Sequence, residues 1–169
     1  RWCGASRPGH FRGVCTVVMK LVNQVQPASL YLGEKDAQQL RVIKRMVVDL
    51  DVPVAVVGCP IAREEDGLAM SSRNRYLSTV ERAGANALFR GLSAARESCL
   101  AGKLVARELE RDFLGLLVTE GGWDPDYLAI VDDDSLEPLN CVEGAALFLV
   151  AARRGTTRLI DNMKLSAPR

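Results

Sequence analysis

One histidine, few aromatic side chains (5%) and no strong charge of either sign set the limits on this 169-residue chain. No apolar run approaches the roughly 18 residues a membrane-spanning helix needs, so no membrane partner is expected. With 22 basic and 21 acidic side chains the formal net charge is +1. That balance gives no reason to expect nucleic acid or an anionic membrane surface as partner. The five cysteines (Cys3, Cys15, Cys59, Cys99 and Cys141) are odd in number and far apart. They exclude a Cys-x-x-Cys redox or zinc pair and fit reduced thiols in a cytoplasm. The start, Arg1-Trp2-Cys3-Gly4, has no initiator methionine, apolar signal region or amphipathic transit pattern, and reads as the middle of something.

What is present suits a folded domain: 48% of residues are hydrophobic and 25% charged, enough for a buried core. Two stretches of different character follow one another, predicting domains at 1–60 and 61–169. In the first, Val14, Val17, Val18, Leu21, Val22 and Val25 recur at helical spacing between Phe11 and Gln26, and Pro27 stops the run. Ser29–Leu32 reads as a short strand stopped by Gly33. A helix from about Asp36 would place Leu40, Ile43, Val47 and Leu50 on one face, and Val54–Val57 reads as a second buried strand. Helix, strand, helix, strand is the rhythm of a parallel sheet with crossover helices. Two strands fall short of the about four to six usual in a sheet, so the sheet is expected to be incomplete.

After Pro60, residues 61–76 are polar, a linker or a functional loop. Ser78 with Glu81 carries a capping-box signature and predicts one long helix to about Ala101, stopped by Gly102. A second helix is expected over Val105–Glu120, closed by Gly121-Gly122. Strands are expected at Tyr127–Val131, Ala145–Ala152 and Arg158–Asn162, the last two joined by a hairpin turn through Arg153-Arg154-Gly155-Thr156. The sum is an α/β segment followed by a small α+β domain with a three-stranded antiparallel sheet.

Three motifs bear chemistry. Gly33-Glu34-Lys35-Asp36 stands where a strand hands over to a helix, a place that suits ligands and, at the helix N-terminus, anions. A lysine there can reach a phosphate; alternatively Asp36 and Gln39 form a helix cap and Lys35 is simply solvated. Met70-Ser71-Ser72-Arg73-Asn74 offers two hydroxyls and a planar guanidinium on a loop, a set suited to a triphosphate. The same residues also read as an ordinary turn before the Ser78 cap. His10, in Ser6-Arg7-Pro8-Gly9-His10-Phe11, reads as structural or exposed rather than catalytic from spacing alone.

Taken in order, four segments resemble the successive signatures of the pantothenate synthetase family. They are Gly4-Ala5-Ser6-Arg7-Pro8-Gly9-His10-Phe11-Arg12-Gly13-Val14, Gly33-Glu34-Lys35-Asp36 with Gln38-Gln39-Leu40, Asp66-Gly67-Leu68-Ala69-Met70-Ser71-Ser72-Arg73-Asn74, and Gly155-Thr156-Thr157-Arg158-Leu159-Ile160-Asp161-Asn162. The resemblance implies a Rossmann-like nucleotidyltransferase domain that binds ATP and pantoate, followed by a smaller lid domain that closes over the site. It implies a ligase that condenses pantoate with β-alanine through a pantoyl-adenylate, yielding pantothenate, AMP and pyrophosphate.

By the same resemblance Gly33, Glu34, Lys35, Asp36, Ala62, Met70, Ser71, Ser72 and Arg73 bind ATP, Ala62 through its backbone. Lys35, Ser71, Ser72 and Arg73 are the catalytic candidates, Gln39 holds pantoate, and Arg7 and His10 approach it. ATP and Mg2+ are the implied co-substrate and ion, no protein metal site is implied, and a homodimer is expected when the enzyme is complete. Two departures stand out. The family's His-x-Gly-His signature is absent, together with its first strands and first pantoate-binding glutamine, so the chain is expected to be a C-terminal portion incomplete for catalysis. Ala37 stands where the family usually has an aromatic residue. The alternative is a non-catalytic nucleotide-binding or dimerisation module derived from that enzyme.

Overall fold

The computed structural model describes residue 2 and residues 8–168. The described chain divides into two compact units, residues 1–61 and 62–169.

In the first unit, α1 (His10–Val25) is followed by β1 (Ser29–Gly33), α2 (Ala37–Asp49) and β2 (Ala55–Cys59). α1 ends where Gln26 turns to a left-handed φ of 50°, and Pro27 cannot continue the helix. β1 and β2 pair in parallel from Ser29 opposite Ala55 to Gly33 opposite Cys59, with α2 as the crossover. Val22, Val47 and Val54 form a small core, with Val18, Leu30 and Val56 packed against it. On α2, Ala37, Leu40, Ile43 and Val47 are buried at helical spacing.

Two expectations need correction here. Leu50 leaves the apolar face: it is the C-cap of α2 and is 60% exposed. The strands are half-buried rather than buried, because cross-strand partners Tyr31 and Val57 share one face of the sheet and are exposed. Among the described residues this sheet has two strands, where a parallel sheet is ordinarily covered on both faces.

The second unit begins with a looped hairpin, residues 62–70, then a 3-10 turn (Ser72–Tyr76), α3 (Thr79–Ala83), α4 (Ala87–Leu100) and α5 (Ala106–Glu120). Three antiparallel strands follow in the order β3 (Trp123–Asp132), β4 (Ala146–Arg154) and β5 (Thr157–Leu165). β4 is central and buried almost throughout. Helices α4 and α5 bury Leu88, Leu92, Phe113 and Leu117 with sheet residues Ile130, Phe148 and Val150 in one core. Phe113 meets Phe148 edge to face at 5.4 Å between ring centroids. Each such side chain contributes about 1.5–3 kcal/mol by leaving water.

The capping box at Ser78 forms: the Ser78 N–H donates to Glu81 Oε2 at 2.7 Å, and the Glu81 N–H donates to Ser78 Oγ at 3.3 Å. The single long helix does not. It breaks into α3 and α4 at Gly84-Ala85-Asn86. A Cβ on Gly84 would sit 2.4 Å from the Arg154 guanidinium, so the break admits a buried arginine while Ala85 and Ala87 still reach the core. The strands run longer than their apolar runs predict, because pairing continues through polar ends such as Arg153 opposite Arg158. Gly155, at φ 57°, makes the two-residue hairpin turn between β4 and β5.

Candidate functional site

In the first unit, Gly33 closes β1 and Glu34-Lys35-Asp36 forms the turn into α2. The turn is fixed from below: the Glu34 N–H donates to the Cys59 carbonyl at 2.8 Å, tying the carboxyl ends of both strands together. Gly58 lets the Glu34 side chain come close, since a Cβ there would meet Glu34 Oε1 at 3.0 Å. Asp36 occupies the N-cap position of α2, yet its side chain makes no cap hydrogen bond. The capping alternative for Asp36 and Gln39 is therefore not realised. Ala37 is 3% exposed, and the small residue is covered at the first turn.

Gln39 has a different role in the geometry. With His10, Gly13, Val14 and Val17 it lines an open cleft of about 730 Å³ beside α1. His10 opens α1, and its ring lies against that of Phe11 with centroids 5.1 Å apart and planes tilted by 52°. Arg7 lies outside the described residues, as does Cys3. Gly13 belongs to the wall, although its residue type alone does not single it out. Nothing stands within 4 Å of the Cβ it lacks, so it widens the cleft.

In the second unit, the backbone of Ala62 is engaged: its carbonyl accepts the Met70 N–H at 2.9 Å. This bond and the Arg63–Ala69 bridge close the hairpin whose far end turns at Gly67, φ 90°. A Cβ on Gly67 would meet Phe89 at 2.1 Å, so only glycine fits. Met70, at 57% exposure, leads into the 3-10 turn. Ser71 caps that turn, its Oγ accepting the Arg73 N–H at 3.2 Å, which leaves its own O–H as a donor. Ser72 and Arg73 are exposed. Hydroxyl, hydroxyl and guanidinium thus stand at one turn.

Glu64 and Arg82, which lie outside the motifs, hold this turn together with Asp66 and Asn74 from within one. Arg82 donates to Glu64 Oε2 and to Asp66 Oδ2, both at 2.6 Å, and Asn74 Nδ2 donates to Glu64 Oε1 at 2.6 Å. The Asn74 amide and then Arg82 hold the Glu64 carboxyl below its usual range, and Arg82 does the same for Asp66. The two carboxylates in turn hold the Arg82 guanidinium firmly charged. Spacing carries no signal for contacts between residues ten to eighteen apart in a polar loop.

Among the described residues, no three His, Cys, Asp or Glu side chains gather as a metal cage. Cys15, Cys59, Cys99 and Cys141 are free thiols, and burial pushes the Cys99 thiol up. Among the described residues, no helix is long and apolar enough to cross a membrane.

Comparison with known proteins agrees across the chain. The family model described as Pantoate-beta-alanine ligase matches residues 1–164. A bifunctional pantoate ligase/cytidylate kinase of Synechococcus elongatus is 52% identical over 99% of this chain and 32% of its own length. A pantothenate synthetase of Caldicellulosiruptor saccharolyticus is 52% identical over 95% of this chain and 57% of its own length. The chain thus spans about a third to three-fifths of the curated relatives it matches. A pantothenate synthetase structure from Thermus thermophilus superposes with a TM-score of 0.94 at 50% identity, covering 98% of this chain and 59% of that one. A Francisella tularensis pantoate-beta-alanine ligase, complexed with beta-gamma ATP and beta-alanine, gives 0.69 at 34% identity over 95% of this chain and 52% of that one.

Proposed function

This chain belongs to the pantoate-beta-alanine ligase family, and on that premise we propose that it supplies the pantoate- and phosphate-binding residues of an ATP-dependent ligase. The observation that carries the reading is the turn Gly33–Asp36, set at the carboxyl end of β1 and opening α2 without a side-chain cap from Asp36. A strand end that feeds an uncapped helix start suits a phosphate, and Lys35 adds the charge.

In the proposed reaction a pantoate carboxylate oxygen attacks the α-phosphorus of ATP, the bond to the β-phosphate oxygen breaks, and pyrophosphate leaves. The β-alanine amine then attacks the acyl carbon of pantoyl-adenylate, loses a proton, and AMP departs. Charge stabilisation matters more here than a strong base. Lys35 neutralises phosphate oxygens, Ser71 and Ser72 donate hydrogen bonds, and Arg73 offers its planar fork. Ala62 contacts the adenine through its backbone. The cleft of Gln39 and His10 takes pantoate, whose paired methyl groups suit Val14 and Val17 while the Gln39 amide serves its hydroxyl and carboxylate groups. Mg2+ would ride on the phosphates and neutralise their charge.

No His-x-Gly-His sequence occurs in these 169 residues. The proposed activity therefore needs that part of the family's machinery from elsewhere. The test is to titrate the purified chain with ATP and magnesium, then assay pyrophosphate release with pantoate added. Saturable binding without release is the expected result. Absence of binding overturns the phosphate reading, and release shows that these residues suffice for adenylation.

One observation favours a second reading, a module that dimerises without turnover. Val17, Leu21 and Val25, spaced four apart on α1, are 57%, 53% and 70% exposed. A concentration-dependent dimer in gel filtration, lost in Leu21→Glu and accompanied by no ATP binding, would favour that reading.

A further inference from the structure

Ser72 and Arg73 of the turn are exposed, yet the hairpin that leads into it is tied. The hairpin leading into it is closed by the Ala62–Met70 backbone bond and by the Glu64 N–H donating to the Leu68 carbonyl at 2.8 Å. Asn74 fastens the 3-10 turn to that hairpin: its Nδ2 donates to Glu64 Oε1 at 2.6 Å and to the Ala69 carbonyl at 3.2 Å. The other Glu64 oxygen accepts from Arg82, which reaches over from α3 and also holds Asp66. Glu64 thus sits between an amide that can only donate on that side and a guanidinium that has no acceptor. Its carboxylate joins the hairpin, the 3-10 turn and α3.

We propose that Arg82, Glu64 and Asn74 form a brace that holds Met70–Arg73 in its phosphate-binding shape, so that an acidic residue beneath the turn strengthens the binding of an anion it does not touch. The inference rests on the reading of Met70–Arg73 as a phosphate-binding turn. The three are positioning residues, since the groups offered to ligand belong to Ser71, Ser72 and Arg73. The physical gain is entropic: a turn already ordered loses less freedom when a ligand binds.

The brace and simple electrostatics predict opposite signs for one substitution. Glu64→Gln removes a negative charge close to the turn. If Glu64 acts only through its charge, ATP, an anion, binds more tightly to the variant. If Glu64 is the joint of a brace, the variant presents an NH2 where either Asn74 or Arg82 needs an acceptor, the joint opens, and ATP binds more weakly.

The experiment uses the full 169-residue chain and has two arms. In the first, MgATP is titrated into wild type, Glu64→Gln, Arg82→Leu and the double variant. The expected result is a Kd raised about tenfold by either substitution and no further by both, because two cuts through one joint are not additive. In the second arm, without nucleotide, amide exchange at Asn74 and Leu77 is followed, whose N–H groups donate to the Ser71 and Asn74 carbonyls. Exchange there is expected to rise about tenfold in Glu64→Gln while core amides such as that of Phe148 stay unchanged.

Tighter or unchanged ATP binding by Glu64→Gln overturns the proposal, as do additive losses in the double variant or unchanged exchange at Asn74. Wild type that binds no ATP while exchange still rises in the variant overturns the phosphate-turn reading itself, and with it the purpose assigned to the brace. The two failures are thereby distinguished.

Discussion

The guanidinium of Arg63 and the carboxylate of Asp161 meet edge to edge, Nη1 to Oδ2 at 2.7 Å and Nη2 to Oδ1 at 3.0 Å, across 98 residues of sequence. The pair pins the 62–70 hairpin to β5, and the ring of Phe89 lies 4.5 Å beneath the guanidinium. The Asp161 side chain is only 2% exposed. Arg63→Ala would remove the guanidinium that meets this buried carboxylate through two hydrogen bonds, at a cost of about 3–5 kcal/mol. Urea unfolding of the chain, followed by the fluorescence of Trp123, should show the midpoint fall accordingly. A loss below about 1 kcal/mol would mean that water takes over the role of Arg63.

Two helix glycines should respond to alanine in opposite directions. A Cβ on Gly91 would stand 2.0 Å from Phe113, so Gly91→Ala forces α4 and α5 apart and should cost about 1–3 kcal/mol. Gly115, inside α5, has nothing within 4 Å of that position. Gly115→Ala should raise stability by about 0.5–1 kcal/mol through helix propensity. Thermal melts of the two variants check both signs at once.

These glycines show where sequence reading reaches its limit. Local signals predict local structure well: the Ser78–Glu81 box, the Gly102 and Gly121 stops, and the alternation of α1, β1, α2 and β2 depend on neighbours within a few residues. The break at Gly84 is not legible, since its reason is Arg154, seventy residues away and buried against the Gly121 carbonyl and the Trp123 ring. Leu50 looks like a core residue because helical spacing continues past the point where the helix itself ends. The candidate site divides the same way. Gly33–Asp36 and Met70–Arg73 stand out by residue type, whereas Glu64, Arg82 and Gly13 gain their significance only from what the fold places beside them.

Acid and base should loosen different parts of the second unit. Burial raises the Glu110 carboxyl above its ordinary 4.5, even though it accepts the Ile130 N–H at 2.9 Å. The fold therefore favours protonated Glu110, and this contribution is present below 4.5 and lost as pH rises through the raised folded value. Glu64 and Asp66 are lowered, so their contribution is present above 4.5 and 3.8 and is lost as pH falls through the lowered folded values. Glu110→Gln should accordingly be more stable than wild type at about pH 7 and lose that advantage toward about pH 4. Urea midpoints at the two pH values decide it: an advantage that is constant with pH would mean Glu110 keeps its ordinary titration.

Lys35 and Lys44 separate a phosphate ligand from a surface charge. Both belong to the stretch from the β1 turn through α2, and both carry the same charge, so any general attraction for an anion is nearly equal for the two. Their surroundings differ. Lys35 sits half-buried in the turn that opens α2, where the first N–H groups of the helix face outward and the macrodipole favours an anion. Lys44 is exposed in the middle of that helix. A charge-assisted hydrogen bond to phosphate contributes about 1.5–3 kcal/mol, so Lys35→Ala should weaken ATP binding roughly tenfold to a hundredfold. Removing Lys44 takes away only a screened, distant charge, and the loss should stay within about twofold. Calorimetric titration of the two variants against wild type measures both values under one salt condition. Equal losses would assign the effect to net charge and remove Lys35 from the phosphate site, leaving Ser71, Ser72 and Arg73 to hold the phosphates alone.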